Sequence, residues 1–385
     1  MSLIRLTLPA LMLVSSLAVA NPPSAPATAD NPAAEARFLS NTRQLIDSAF
    51  RSGEGYFSPT GDKMVFQGQW GSTNPFDQVR LKDLHSGEET QISSGIGKTT
   101  CAFINPESGE IMFSSTHLDP DAIAKQDAEL AFRASGKHRR YSWDYDENMD
   151  IFVVDPDGSN LRRLTTELGY DAEGNFSPDG SQIVFSSMRS AYNRELNEEE
   201  KAHLQDNASW FADIYIMNSD GSNVRQITSN PGYDGGPFFS PDGTRIIWRH
   251  FSEDGETADA YTMALDGTDV VRLTDMGFMS WAPYYHPSGE YVIFNTNKFG
   301  HRNFELFIVD IKGEKEPVRV TFTDGFDGLA VFLPNGKQLS WTSSRDKHKK
   351  SQIFIADWNH EAALEALKTA GPRLPPAVPQ KQSRH

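Results

Sequence analysis

The chain has 385 residues, of which 38% are hydrophobic and 11% aromatic, and it contains many Gly and Pro residues. This composition is that of a soluble globular protein and suits an all-β fold with many turns. The 52 acidic and 36 basic residues give a net charge of −16, so the surface would repel nucleic acid and anionic lipid.

The chain begins with a predicted secretory signal. Arg5 precedes an apolar stretch over residues 6–17, which ends in small residues at 18–20. The apolar run is shorter than the ~20 residues of a membrane span, so we predict cleavage after Ala20 and not a membrane anchor. We expect a periplasmic or secreted protein without an integral membrane span. A Pro/Ala-rich linker follows over residues 21–36.

One turn pattern recurs six times and organises most of the chain. Each copy has aromatic or apolar residues, then Pro, then a turn ending in Gly, as in Ser177-Pro178-Asp179-Gly180. Pro has the φ of a first turn corner, Asp bonds the local backbone, and Gly accepts positive φ. The intervals between the six prolines are 47, 72, 63, 46 and 47 residues. A unit of ~46 residues therefore repeats, with insertions in the second and third units. The six prolines are Pro59, Pro106, Pro178, Pro241, Pro287 and Pro334.

Each unit is predicted to contain four strands. In the third unit a β-branched and aromatic strand follows the turn at 182–185, and a third strand follows at 213–217. A second turn at 220–223 then leads to a short outer strand at 224–228. Four antiparallel strands per unit make one blade, so the chain is predicted to be all-β, a six-bladed β-propeller over residues 37–358.

The ends of the chain are predicted to meet. The sixth unit has a third strand at 352–356 but no outer strand after it, whereas residues 42–46 have the outer-strand pattern ahead of the first unit. We therefore expect residues 38–47 to complete the last blade and close the ring. Residues 359–385 are predicted to form a C-terminal helix and a disordered tail. Cys101 is the only cysteine, so no intramolecular disulfide forms.

The turns at 177–180 and 240–243 and the hairpin at 220–228 resemble those of TolB-like propellers with WD-repeat-like blades. The resemblance covers residues 38 to 358 and implies a six-bladed ring that binds proteins in the bacterial envelope. True TolB has an additional α/β domain ahead of its propeller, and here only the Pro/Ala-rich stretch precedes the repeats. The propellers of prolyl-oligopeptidase-type peptidases and of oligogalacturonate lyases are similar too.

Both insertions fall between second and third strands, so they are predicted to decorate one face together with the blade connections. Loops on a rigid scaffold are the usual carriers of binding. The first insertion, 115–149, contains a predicted helix with Pro120 at its first position and then an aromatic and acidic strip with Trp143 and Tyr145. The strip could hold a sugar or a cationic peptide, but packing of these aromatics onto the propeller is favoured. In the second insertion, 187–212, Asn197 is predicted to cap a helix.

Residues of the blade connections and second-strand ends form the predicted binding set near the channel mouth. The connections repeat Gly, an aromatic residue and Asp, and the second strands end near basic residues. A ring of carboxylates could hold calcium, but ion pairing with the adjacent Arg and Lys is favoured, and no cofactor is required. With the two strip aromatics, the set is Tyr170, Asp171, Tyr233, Asp234, Asp327, Arg189, Lys298, Arg345, Trp143 and Tyr145.

The sequence favours a binding role over catalysis. It has no G-x-S-x-G nucleophile elbow, no H-E-x-x-H motif and no cysteine cluster. We predict a monomeric envelope module that binds or scaffolds a protein or peptide. The alternatives are an enzyme acting on polysaccharide, as the lyase resemblance implies, and a peptidase-type propeller without its hydrolase domain. Fold alone does not decide among them.

Overall fold

Six antiparallel sheets of four strands each surround a central channel, which confirms the predicted six-bladed propeller. The computed structural model describes residues 30–71, 73–137, 139 and 145–373. The predicted signal peptide and the last twelve residues lie outside the described residues. The N-terminal strand β1 (Leu39–Gln44) belongs to the last blade, and the other strands follow in chain order.

Blade 1 contains β2 (Arg51–Phe57), β3 (Lys63–Gln69), β4 (Gln78–Asp83) and β5 (Glu89–Gln91). Blade 2 contains β6 (Thr99–Ile104), β7 (Ile111–Ser115), β8 (Asp150–Val154) and β9 (Arg162–Arg163). Blade 3 contains β10 (Asp171–Phe176), β11 (Gln182–Ser187), β12 (Asp213–Asn218) and β13 (Arg225–Gln226).

Blade 4 contains β14 (Asp234–Phe239), β15 (Arg245–Phe251), β16 (Ala258–Ala264) and β17 (Val271–Arg272). Blade 5 contains β18 (Ser280–Tyr285), β19 (Tyr291–Thr296), β20 (Glu305–Asp310) and β21 (Val318–Arg319). Blade 6 contains β22 (Asp327–Phe332), β23 (Gln338–Ser343) and β24 (Gln352–Trp358), with β1 at its outer edge.

The predicted ring closure is confirmed. β1 pairs antiparallel with β24, so that Leu39 lies opposite Trp358 and Arg43 opposite Ile355. Phe38 stacks on Trp358 with ring centroids 6.0 Å apart. Because the first strand of the chain completes the last blade, both ends of the propeller are held in one sheet.

The Ser-Pro-Asp-Gly turns join first and second strands as predicted. In blade 3 the Ser177 hydroxyl donates to Asp179 at 2.6 Å and accepts from the Gln182 backbone N–H at 3.0 Å. Gly180 has φ of +67°, and a Cβ there would lie 2.5 Å from the side chain of Asn105 in blade 2. The turn therefore needs Gly both for its backbone conformation and for contact with the neighbouring blade.

Every inner strand carries a bulge at the same position. The register shifts after the second paired residue in five blades and after the third in blade 1, and the residue at the bulge has φ between 46° and 59°. Such positive φ is uncommon outside Gly. Because the inner strands line the channel, the bulge places one residue of each blade at the channel wall. These residues are Glu54, Cys101, Glu173, Gly236, Ala282 and Leu329.

Four α-helices in the described part of the chain lie outside the blades. They are α1 (Pro32–Glu35), α2 (Ala122–Ala134), α3 (Glu198–Asp206) and α4 (His360–Thr369). The predicted cap of α3 is confirmed, since Asn197 and Glu200 form a reciprocal capping box. α2 begins two residues after Pro120, not at it, because Asp119 accepts the Asp121 N–H at 2.9 Å and holds a turn there.

Candidate functional site

The carboxylates predicted at the channel mouth begin inner strands and are buried. Asp171 accepts a bond from Arg189 at 2.7 Å, and Asp327 accepts one from Arg345 at 2.8 Å. Asp171 and Asp327 are 0% and 1% exposed. Burial raises the pKa of Asp171 to about 6, while Arg189 opposes the shift. The structure thus shows the ion pairing that the sequence favoured for these residues.

The other predicted charges are placed differently. Asp234 is also fully buried, but its Oδ1 accepts from the Trp248 Nε1 at 3.0 Å and contacts the His250 Nδ1 at 2.7 Å. Lys298 is exposed, and no ion pair joins it to another described residue. The basic residues of the predicted rim therefore do not form one ring.

Three predicted aromatic residues pack together. The Tyr145 ring packs edge-on against Tyr170 and Tyr233, with centroids 5.3 and 5.6 Å away. Tyr170 is fully buried and Tyr233 is nearly so. Tyr145 thus joins the first insertion to blades 3 and 4, as the packing interpretation expected. Trp143 lies outside the described residues.

The channel contains a cluster that sequence reasoning missed. The Arg249 guanidinium donates to both carboxylate oxygens of Glu173, at 3.1 and 3.0 Å, and to the Tyr233 hydroxyl at 2.6 Å. The Tyr233 hydroxyl in turn donates to Glu173. Glu173 belongs to blade 3 and Arg249 to blade 4, so this network joins two blades across the channel wall.

Two glycines make room for this network. Gly236 stands at the bulge of β14, where a Cβ would lie 2.0 Å from the Arg249 Nη1. A Cβ on Gly235 would lie 2.4 Å from the Tyr233 ring. Arg249 starts on the second strand of its blade, and it reaches the channel only because the inner strand has no side chains there. The Gly236 N–H also donates to Glu173 at 2.5 Å.

A second carboxyl in the channel has no cationic partner among the described ion pairs. Glu54 accepts from the Tyr56 hydroxyl at 3.1 Å and lies 3.9 Å from the Cys101 Sγ. Burial and the nearby Glu173 raise the pKa of Glu54 to about 7. Burial also raises the pKa of the Cys101 thiol. Glu54 is therefore a proton-exchanging group near neutral pH inside the channel.

Alignment of the six copies on their prolines could have found this cluster. Glu54, Cys101 and Glu173 each stand five residues before the Pro of their turn. The residues three positions before Pro include aromatics that fill the channel beyond the cluster. Tyr56 lies 5.1 Å from Phe103 between ring centroids. The remaining contacts in this group join Phe238 to Tyr56 at 5.6 Å and to Tyr284 at 5.0 Å.

A surface pocket of about 420 Å³ opens beside the cluster on the loop-rich face. Its lining includes aromatic side chains from the insertions and blade connections, together with two carboxylates. The pocket thus combines apolar walls with negative charge, which suits a peptide or another cationic, partly apolar ligand. The aromatic residues are Tyr145, Trp210, Tyr233 and Phe251, and the two carboxylates are Asp206 and Glu253.

The described residues contain neither a cluster of metal ligands nor a membrane-spanning helix. No group of three or more His, Cys, Asp or Glu among them is arranged to hold a metal ion. The calcium hypothesis therefore stays a prediction from the carboxylate spacing. None of the helices in the described part of the chain is long and apolar enough to cross a membrane.

The chain is similar to TolB proteins. No protein-family model matches it. A TolB homolog from Chlorobium luteolum is 25% identical over 122 residues, which are 26% of this chain and 28% of that protein. The chain thus matches less than a third of this curated relative's length.

Solved structures show the same architecture. A putative TolB from Agrobacterium tumefaciens superposes with a TM-score of 0.52 and 18% identity over 80% of this chain and 90% of that one. TolB from Acinetobacter baumannii superposes with a TM-score of 0.50 and 16% identity over 82% of this chain and 65% of that one. At these identities the likeness shows the fold alone. With the repeats and the closed ring, the chain is a six-bladed β-propeller whose fold is similar to that of the TolB propellers.

Proposed function

We propose that this protein is an exported binding or scaffolding module of the cell envelope, which docks a protein or peptide on its loop-rich face. The envelope location is supported by the predicted signal peptide and by the likeness to TolB proteins. The observation that carries the docking proposal is the difference between the two faces of the ring. One face has short turns only, whereas both insertions and the blade connections lie on the other.

The distribution of exposed apolar side chains supports the same face. Among the described residues, ten large hydrophobic side chains are exposed, and six of them lie in blade connections or in the first insertion. Exposed apolar groups on one face of a protein are typical of interaction surfaces. The six are Phe50, Ile96, Leu118, Ile123, Leu168 and Phe278, and the four on the turn face are Leu161, Val224, Val270 and Ile311.

Helix α2 forms part of this surface and is anchored. The Gln126 side chain accepts the Gly97 N–H at 2.6 Å, and Lys125 bonds Asp119 and Asp146 at 2.7 and 2.6 Å. Ile123, on the same helix, remains 51% exposed. A helix that is fixed by polar contacts yet presents an apolar side chain is a preorganised docking element.

Site-specific photocrosslinking in cells tests the proposal. A photoreactive amino acid replaces Ile123 or Phe278 on the loop-rich face, and Leu161 or Val270 on the turn face serves as a matched control of similar exposure. Discrete adducts from the first pair alone are expected. Adducts from the control pair alone, or equally from all four positions, would contradict docking on the loop-rich face.

Deletion and activity measurements complete the test. Deleting residues 119–147 removes α2 and the aromatic strip, and we expect the adducts at Phe278 to disappear while the melting transition of the propeller remains. Incubation with anionic oligosaccharides tests the enzyme alternative. New ultraviolet absorbance from an unsaturated product would replace the docking proposal with a lyase activity.

A further inference from the structure

Each blade has polar residues at two matching positions of its third and outer strands, and in blades 2 to 5 the two side chains bond each other. The outer strand places one polar residue opposite a residue of the third strand, and the second polar residue stands two positions before that residue on the third strand. In blades 2, 4 and 5 the pair is an acid with an arginine, and in blades 1 and 6 both positions are Gln. The acid–arginine pairs are Asp150–Arg163 at 2.5 Å, Asp259–Arg272 at 2.6 Å and Glu305–Arg319 at 2.8 Å. The neutral positions are Gln78 with Gln91 and Gln352 with Gln44.

Blade 3 alone among the six combines an acid with a neutral partner. Asp213 occupies the acid position and is 6% exposed. Gln226 occupies the arginine position and donates to the Asp213 Oδ2 at 2.8 Å. The Thr228 hydroxyl, whose equivalents are Thr165, Thr274 and Thr321, lies 3.4 Å from Oδ1. Blade 3 thus keeps the carboxyl of the repeat but lacks its cation.

A pocket lies at the position where blade 3 lacks the arginine of blades 2, 4 and 5. A cavity of about 390 Å³ on the loop-rich face is lined by Asp213, Gln226, Tyr215, Phe211 and residues of the second insertion. The charged residues in its lining are Asp213, Glu200 and Arg194, which give one cation and two carboxyls.

The nearby cations are already bound to other carboxylates. Arg194 bonds Glu200 at 2.7 and 3.1 Å, although its charge lowers the pKa of Asp213 in part. Arg189, which lies 5.2 Å from the Tyr215 ring, bonds Asp171. No arginine or lysine forms an ion pair with Asp213 among the described residues.

From the repeat and the pocket together, we propose that Asp213 is the counter-ion of a binding site for a guanidinium or ammonium group, which takes the place of the arginine found in blades 2, 4 and 5. A planar guanidinium matches a carboxylate with two hydrogen bonds, and aromatic side chains in the lining favour a cation. The site goes beyond the proposed docking function, because a free cation or a basic side chain of a partner would both supply the group.

The electrostatics of Asp213 agree with this assignment. Burial and the neighbouring Asp234 raise the pKa of Asp213 to about 8. Burial also raises the pKa of Glu305 to about 8, although Arg319 is bound to it, so the assignment rests on the missing partner and the pocket. A cation bound beside Asp213 stabilises the ionised carboxylate, so binding at pH 7 releases a proton.

Trp210 indicates which source of the cation fits better. It lines both this pocket and the 420 Å³ pocket, and its Nε1 is buried without a hydrogen-bond partner among the described residues. A peptide carbonyl beside a basic side chain would accept this hydrogen bond. A peptide-borne arginine is therefore expected to bind more tightly than a free guanidinium compound.

Calorimetry on the purified full chain tests the site with two probes, agmatine and the capped peptide Gly-Arg-Gly. Both are expected to bind, the peptide more tightly, and the same peptide with citrulline in place of arginine is expected not to bind. Affinity for the arginine peptide should be about twentyfold weaker at pH 6.5 than at pH 8.5, because protonated Asp213 competes with the cation. Agmatine binding without peptide binding would assign the site to free cations.

Three variants complete the experiment. Asp213→Asn should weaken binding at least tenfold and remove its pH dependence. Gln226→Arg should abolish binding and fold normally, since it restores the pair present in blades 2, 4 and 5. Asp259→Asn in blade 4 is the matched control and should leave affinity unchanged. Lack of binding to both probes by the wild-type chain, or equal binding by Gln226→Arg, would overturn the proposal and leave the docking proposal untouched.

Discussion

Glu54 gives the sharpest test of the channel electrostatics. Its carboxyl lies in the channel near Glu173, and burial with this like charge raises its pKa from 4.5 to about 7. Replacement by Gln keeps the size and the acceptor for the Tyr56 hydroxyl but removes the ionisation. We expect Glu54→Gln to alter how the unfolding free energy varies with pH. Its effect on the unfolding free energy at low pH should be smaller.

The sign follows from the direction of the pKa shift. The folded carboxyl binds its proton more tightly than the unfolded one, so this contribution to stability is complete below about pH 4.5 and is lost as the pH rises through about 7. At about 1.4 kcal/mol per tenfold change in the proton-dissociation constant, the rise from 4.5 to about 7 corresponds to a loss of about 3 kcal/mol of unfolding free energy. Because Glu54 is partly accessible from the channel, screening by water reduces this to about 2 kcal/mol.

Urea unfolding of the wild-type chain and Glu54→Gln at pH 5, 6, 7 and 8 measures the effect. The variant is expected to gain stability relative to the wild type as the pH rises, with a difference between pH 5 and pH 8 of about 2 kcal/mol. Other buried carboxyls, such as Asp171, contribute equally to both proteins and cancel. Parallel stability curves for the two proteins would refute the assignment of a raised pKa to Glu54.

Three further predictions concern the predicted rim, the ring closure and calcium. Arg189→Met leaves the fully buried Asp171 without its cation and should lower the unfolding free energy by about 3 kcal/mol. Lys298→Met, at the exposed equivalent position in blade 5, is the control and should change the unfolding free energy by less than about 0.5 kcal/mol. Similar losses in chemical denaturation of both variants would contradict this. Removal of residues 30–47 exposes the edge of β24, so size-exclusion chromatography should show aggregates; a monomer with an unchanged melting temperature would show that closure by β1 is dispensable. Added calcium should leave the melting temperature unchanged, because arginines already bind two of the mouth carboxylates; a rise of several degrees that a chelator reverses would establish a calcium site.

The sequence by itself determined the blade architecture. Each turn that contains Pro and Gly depends on four adjacent residues. The six copies, in a unit of ~46 residues, therefore give the number of blades. The displaced outer strand could be recognised for the same reason, since β1 carries the pattern that is absent after β24. Ion pairing of Asp171 with Arg189 was also foreseeable, because the two residues stand at neighbouring ends of one hairpin.

Only the tertiary structure decided which groups meet in the channel and at the pockets. Glu54, Glu173 and Arg249 are far apart in sequence, and the inner-strand bulges and the Gly235-Gly236 pair bring them together. The unmatched Asp213 became recognisable only when the strand registers aligned the six blades. Local turn chemistry is encoded in adjacent residues, whereas contacts between blades depend on the closed ring, and this is why the fold was predictable and the channel cluster was not.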